Sequence, residues 1–237
     1  MTLKLPKEIL KELDDQVLLL SKGNTDDRAR ALGRLESFEK SGKIPLSALI
    51  ELSEDDNVNL AMYGIGALGR NQSKDAVKKL VDLFEKYREG DPLFLETIVD
   101  AMGATAHKDV LPCLLNMLGV ESGWKKKLTG WLGNRKKKTS EVDPFELKRR
   151  EFLALPVMRA LEKIPDASAA KAIGGFLGHA DSLVRWHTIR VMQYSRVEDF
   201  KEEMTKLAET DPIETVREAA EIALEELSSP LPENMNN

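Results

Sequence analysis

The sequence predicts an all-α fold, a right-handed α-solenoid built from about six helical hairpins. Three observations predict it: a helix-favouring composition, apolar residues spaced three or four positions apart, and an internal repeat of about 33 residues. Leu, Ala, Glu and Lys are abundant, whereas aromatic residues make up only 5% of the 237 residues. Such a mixture favours helices over strands. No segment of useful length alternates polar and apolar residues with period two, so no sheet is expected.

The repeat is visible in six helical segments that share a central apolar position. These segments are RALGRLESF, GIGALGRNQ, TIVDAMGAT, PVMRALEKI, TIRVMQYSR and EIALEELSS. Their central positions are Leu32, Ile65, Val99, Met158, Met192 and Leu224, separated by steps of 33, 34, 59, 34 and 32 residues. The long step is one period plus about 26 extra residues. The sequence therefore predicts a single repeat domain over residues 1–229, interrupted in its fourth repeat by an insertion at about residues 120–143.

Each repeat is expected to contain two helices. A turn carrying Asp or Asn precedes the second helix, where a short polar side chain can cap free backbone amides. The first helices carry apolar residues at helical spacing. Their segments are PLSALIEL, DAVKKLVDLFEKY, DVLPCLLNML, SAAKAIGGFLG and DFKEEMTKLAE. Small residues in the second helices, such as Gly64 and Ala223, would allow neighbouring helices to approach closely.

Two of the second helices resemble a known repeat. DSLVRWHTIRVMQY and DPIETVREAAEIALEEL are similar to the Asp-x-x-Val-Arg-x-x-Ala-x-x-Ala-Leu pattern of HEAT repeats, especially the short HEAT-like type named after phycobilisome lyases. The resemblance covers Pro6 to about Leu227, and its Val-Arg pairs end in Arg185 and Arg217. It implies an armadillo/HEAT-like superhelix whose concave groove is lined by the second helices. It also implies binding or scaffolding more often than catalysis.

The sequence offers no set of residues that indicates catalysis. The related HEAT-like deoxyhypusine hydroxylases bind a di-iron centre through repeated His-Glu pairs, and no such pair occurs here. Phosphate-binding loops and nucleophile motifs are also missing. The sequence therefore predicts a protein that is not an enzyme and needs no metal or cofactor. A phycobilin-lyase-like enzyme, or one like the HEAT-like DNA glycosylases, is kept as an alternative, although the tryptophan-rich motif of the glycosylases is absent.

The predicted groove is read from the face of each second helix that lies opposite the core. Rotation away from the central apolar position indicates which residues face outward. In the middle repeats they include aromatic and arginine side chains, the types that dominate binding energy at protein interfaces. The predicted partner-binding residues are Tyr63, Leu93, Phe152, Arg159, Trp186 and Arg190. The alternative is that some of them pack between adjacent repeats.

The insertion differs in charge from the rest of the chain. Its stretch WKKKLTGWLGNRKKKTS holds seven Lys or Arg, two Trp and no acidic residue. Residues 120–150 carry a net charge of +6, which leaves −11 for the remainder of a chain whose total is −5. Such separation of charge predicts a binding role. The candidate contact residues are Trp124, Lys125, Lys126, Lys127, Trp131, Arg135, Lys136, Lys137 and Lys138.

Several partners are compatible with this insertion. A basic amphipathic segment with Trp could contact another protein, nucleic-acid phosphates or an anionic membrane surface. It could also lie on an acidic surface of this chain or of a second copy, or remain a solvated loop. Because the chain has a single cysteine, Cys113, and no secretion signal or membrane-spanning run, a cytoplasmic location is expected. The tail at residues 230–237 is predicted to be disordered.

Overall fold

The structure is a computed structural model that describes residues 7–40, 44–88, 90–120 and 144–229. These residues form helices joined by turns, and no strand occurs among them, which confirms the all-α prediction. The chain divides into two compact units, Met1–Thr105 and Ala106–Asn237. A single repeat domain over residues 1–229 stays a prediction. Residues 121–143, which hold the predicted basic insertion, and the predicted tail lie outside the described residues.

The first unit contains three helical hairpins. Their helices are α1 (Lys7–Lys22) with α2 (Thr25–Lys40), α3 (Leu46–Leu52) with α4 (Val58–Asn71), and α5 (Lys74–Tyr87) with α6 (Pro92–Ala104). The two helices of each hairpin pack against each other, and α4 also packs against α5 and α6. The core of the first unit is mainly aliphatic, with Ile65, Leu80 and Ile98 fully buried, and it also contains the buried ring of Phe84.

The second unit repeats this arrangement around three longer helices. Its described residues form, in order, a 3-10 turn (Lys108–Val110), α7 (Leu111–Met117), α8 (Pro144–Glu162), α9 (Ala167–Ala172), a second 3-10 turn (Gly174–Gly178), α10 (Ser182–Tyr194), α11 (Lys201–Thr210) and α12 (Glu214–Ser228). Helix α8 packs against α7 and α10, and α12 packs against α10 and α11. The second helices α8, α10 and α12 are therefore neighbours in chain order.

The local signals of the repeat appear in the described helices. Of the predicted central positions, Ile65, Val99, Met158 and Met192 are completely buried, as a shared period predicts. Leu224 is only half-buried. The predicted turns also provide helix caps. Asn57, Asp91 and Asp181 each accept a hydrogen bond through Oδ1 from the backbone amide two residues further on, at 2.8–3.0 Å.

Two glycines of α4 lie where a neighbouring backbone comes very close. A Cβ atom built on Gly69 would lie 2.6 Å from the carbonyl oxygen of Ala101 in α6. One built on Gly64 would lie 2.5 Å from the backbone nitrogen of Ser53. A Cβ on Gly66, between them, meets nothing closer than Arg70 Nη1 at 3.5 Å. The packing of α4 therefore depends on two specific glycines rather than on glycine content.

Candidate partner-binding surface of the second unit

The arginine of the Val184–Arg185 pair is buried and holds the helices together. Arg185 of α10 donates through Nε and Nη2 to the two carboxylate oxygens of Asp211, both at 2.8 Å. Its Nη1 donates to the backbone carbonyls of His179 and Ala180 at 2.8 and 3.0 Å. The hydrogen bonds from Arg185 lower the pKa of Asp211 against the effect of burial, which raises it. This buried pair joins successive hairpins.

Trp186, Arg190 and Tyr194 form a stack along one face of α10. They are four residues apart, so their side chains lie on the same side of the helix. The Arg190 guanidinium carbon lies 5.2 Å from the Trp186 ring centroid and 4.6 Å from that of Tyr194. Both distances are within the range of cation–π attraction. Tyr194 is 42% exposed, whereas Trp186 is partly buried and also packs against the core of α10, α11 and α12.

Glu162, at the end of α8, holds this stack from the neighbouring helix. Its Oε1 accepts a hydrogen bond from Arg190 Nε at 3.0 Å, and its Oε2 lies 2.7 Å from His187 Nδ1. Burial raises the pKa of the Glu162 carboxyl, but the bonds to His187 and Arg190 lower it by more. The net pKa is therefore below the usual value. The His187 ring contacts Trp186 edge-on, with centroids 4.7 Å apart.

The outer edge of the Arg190 guanidinium is still available for binding. Only its Nε has a hydrogen bond among the described residues, and the Arg190 side chain is 28% exposed. Guanidinium groups donate in a rigid planar fork that matches a carboxylate. Because Glu162 and two aromatic rings already orient Arg190, little side-chain freedom remains to be lost on binding.

The other predicted groove residues of this unit lie on α8. Phe152 is exposed (44%), as are several other large apolar side chains of this chain. Arg159 is half-buried, two turns further along the same helix. Phe152 and Trp186 occupy equivalent positions, six residues before the buried Met158 and Met192 respectively.

In the first unit the predicted residues are in a different setting. Leu93 is 63% exposed at the start of α6. Tyr63 is half-buried, and its hydroxyl donates a hydrogen bond to Glu39 Oε1 at 3.0 Å. The same carboxylate accepts two bonds from Arg70, at 2.9 and 2.6 Å. Burial raises the pKa of Tyr63, and the negative charge of Glu39 raises it further. Tyr63 thus belongs to a network between α2 and α4.

The structure brings together Trp186 and Arg190 as the sequence analysis grouped them, but it adds two residues. Tyr194 could have been found, because it continues the four-residue spacing of Trp186 and Arg190. Glu162 could not, because it precedes Arg190 by 28 residues and no local pattern connects them. The predicted contact residues of the insertion, Trp124 to Lys138, lie outside the described residues.

The described residues contain no group of three or more His, Cys, Asp or Glu side chains placed to hold a metal ion. No helix among them combines the length and the hydropathy needed to cross a bilayer.

Comparison with known proteins leaves the family open. No family model matches the chain, and no curated protein matches it. Among solved structures, human deoxyhypusine hydroxylase in complex with glycerol is similar over 93% of this chain and 98% of that chain, with 18% sequence identity and a TM-score of 0.31. A likeness of this size supports no conclusion about activity. The class that the structure itself defines is an all-helical protein of packed helical hairpins.

Proposed function

We propose that this chain is a non-catalytic HEAT-like scaffold that binds a partner protein through the exposed face of its second helices. In this proposal the hairpins belong to a right-handed solenoid, and the basic segment 124–140 provides a second contact. The observation that carries the proposal is the stack of Trp186, Arg190 and Tyr194, fixed by Glu162.

The chemistry of this stack favours protein recognition. Trp, Tyr and Arg are the residue types that contribute most at protein interfaces. A cation held against two rings presents an apolar surface and a charged edge together, which suits a side chain and a carboxylate of a partner. On the adjacent helix α8, the exposed Phe152 occupies the position equivalent to Trp186.

Site-specific photo-cross-linking in the native host can test the proposal. A photoreactive amino acid at Phe152 or Tyr194 should capture one and the same protein. A matched position on the exposed surface of α11, Lys206, should not capture it. The captured protein is then purified and its affinity measured by calorimetry.

The affinity measurement separates binding from folding. Trp186→Ala should weaken binding at least about 30-fold, because hot-spot truncations cost roughly 2 kcal/mol or more. Arg190→Ala, which leaves Trp186 in the core, should weaken it about tenfold or more, whereas Lys206→Ala should change it less than about twofold. If Arg190→Ala and Lys206→Ala bind the captured protein equally well, this surface is not its binding site.

The charge of the insertion supports a second candidate, the binding of nucleic acid or anionic membranes. Seven Lys or Arg within residues 124–140 could neutralise phosphates, and such binding weakens steeply as salt rises. A chain lacking residues 124–140 should then lose affinity for a duplex oligonucleotide or for phosphatidylserine vesicles. Equal affinity with and without the segment at low salt would remove this candidate.

A further inference from the structure

Equivalent positions of α8, α10 and α12 carry a graded charge. The positions compared lie ten residues before, six residues before and one residue after the central apolar residue of each helix. They are Lys148, Phe152 and Arg159 on α8, Ser182, Trp186 and Gln193 on α10, and Glu214, Glu218 and Glu225 on α12. All of these except the buried Gln193 are exposed or half-buried. The same face is therefore basic on α8, aromatic on α10 and acidic on α12.

The acidic edge is a property of the whole of α12. This helix holds five glutamates and a single cation, Arg217. Arg217 is half-buried and donates through Nη1 to the backbone carbonyl of Asp211 at 2.6 Å. It therefore does not neutralise the outer face, where Glu218 and Glu225 lie beside the 50%-exposed Ile222.

The spacing of the helices sets the distance between the two charged edges. Helix α10 packs directly against both α8 and α12, and packed helix axes lie about 8–10 Å apart. The edges are thus separated by about 16–20 Å. An extended chain advances about 3.3–3.6 Å per residue, so roughly five or six residues would connect them.

We propose that this face binds an extended segment of a partner protein with acidic residues at one end, basic residues about five or six positions away, and an apolar residue between them. This inference rests on the proposed function and specifies its partner. The acidic end pairs with Lys148 and the open guanidinium edge of Arg190. The basic end pairs with Glu214, Glu218 and Glu225, and the apolar residue packs on the Trp186 stack.

Charge distinguishes this occupant from the phosphate-bearing ones. A nucleic acid or an anionic bilayer presents negative charge throughout. Either ligand would be attracted to the basic face of α8 but repelled by the acidic face of α12. Only a ligand with both signs of charge, correctly separated, is complementary to the whole face.

Selection from a random dodecapeptide display library on the purified full chain tests the proposal. Enriched peptides should carry Asp or Glu and Lys or Arg about five or six positions apart. The double variant Glu218→Lys and Glu225→Lys should select peptides whose basic end is lost or replaced by acid. A matched charge change on α11, Glu202→Lys and Glu203→Lys, should leave the selected pattern unchanged. Against the best peptide, Arg190→Ala should weaken affinity at least about tenfold, and Arg190→Lys should weaken it by less.

Three outcomes of the selection would overturn the inference. They are enrichment no greater than on an unrelated protein, selected peptides that lack either charged end, and the same selected pattern on the α12 double variant. A peptide affinity that rises when residues 124–140 are deleted would also overturn it, because this chain's own segment would then be the occupant. If cross-linked partner capture still depends on Arg190 in these cases, the proposed function survives and only the partner chemistry is wrong.

Discussion

Within each unit, successive second helices are held together by a different kind of contact. In the first unit, Gly69 of α4 allows the backbone of α6 to approach at Ala101, with room for no side chain between them. In the second unit, the buried ion pair of Arg185 and Asp211 joins α10 to the turn that precedes α12. A repeat period fixes the spacing of helices along the chain, but it leaves the chemistry of each interface open. Close packing and a satisfied charge pair are both adequate solutions.

Their outer faces differ in a related way. Tyr63 of the first unit is linked to Glu39, which Arg70 also binds. In the second unit the corresponding position is Arg190, whose outer edge has no hydrogen bond among the described residues. On the outer face of the first unit the polar side chains bind one another. On that of the second unit, the outer N–H groups of Arg190 have no hydrogen bond among the described residues. This contrast is why the proposed contact is placed on the second unit.

The largest effect is expected from Asp211→Ala. It leaves the Arg185 guanidinium buried without its carboxylate, and breaking such a pair costs about 3–5 kcal/mol. Urea unfolding followed by hydrogen exchange should show this loss, with protection reduced in the second unit. The control is Asp199→Ala, which removes an exposed pair with Lys171 and should cost about 0–1 kcal/mol. Equal losses in the two variants would mean that the buried pair does not join the hairpins.

Two smaller effects on stability, of opposite sign, are expected at Gly69 and Gly66 of α4. Gly69→Ala places a Cβ against the Ala101 backbone and should cost about 1–3 kcal/mol through overpacking. Gly66→Ala places a Cβ in ordinary contact with the end of the Arg70 side chain, at 3.5 Å. It should instead gain about 0.5–1 kcal/mol, because alanine favours a helix interior. Thermal unfolding of the two variants provides the measurement. A stabilising Gly69→Ala would contradict the close approach of α4 and α6.

The ion pair of the second unit should also respond to pH. Hydrogen bonds from Arg185 hold the folded-state pKa of Asp211 below its ordinary value of 3.8. The pair therefore contributes fully above that value, and its contribution is lost as the pH falls through the folded-state pKa. The difference in free energy of unfolding between wild type and Asp211→Asn should be constant from about pH 5 to pH 8 and shrink in more acidic buffer. A difference that grows on acidification would reverse the assigned sign.

The smallest effects on the free energy of unfolding are expected at two tyrosines, Tyr63 and Tyr194. Tyr63→Phe removes the hydrogen bond to Glu39 and should cost about 0.5–1.5 kcal/mol. Tyr194→Phe should leave stability within about 0.5 kcal/mol, because its hydroxyl has no hydrogen bond among the described residues. Urea titrations of both variants test this comparison. Equal values would show that the Tyr63 network adds nothing to the first unit.

Local features of the fold were predictable from sequence to the extent that they depend on nearby residues. Asp91 and Asp181 could be identified as caps because each bonds an amide two residues away. The burial of Ile65 and Met192 followed from their period. Within the candidate site, Trp186 and Arg190 were accessible to the same reasoning because they share a helix face. The Arg185 pattern was recognised, but its buried partner was not identified.

The sequence by itself determined an all-helical chain with a repeated spacing, capped turns and one strongly basic stretch, because these properties are encoded within a few helical turns. Tertiary structure decided which residues meet across helices. Arg185 reaches Asp211 over 26 residues, and Arg190 reaches Glu162 over 28. Such pairs depend on how helices pack, since many charged residues along each helix could have served equally well. Packing therefore determined which arginine is buried as framework and which remains open at the surface.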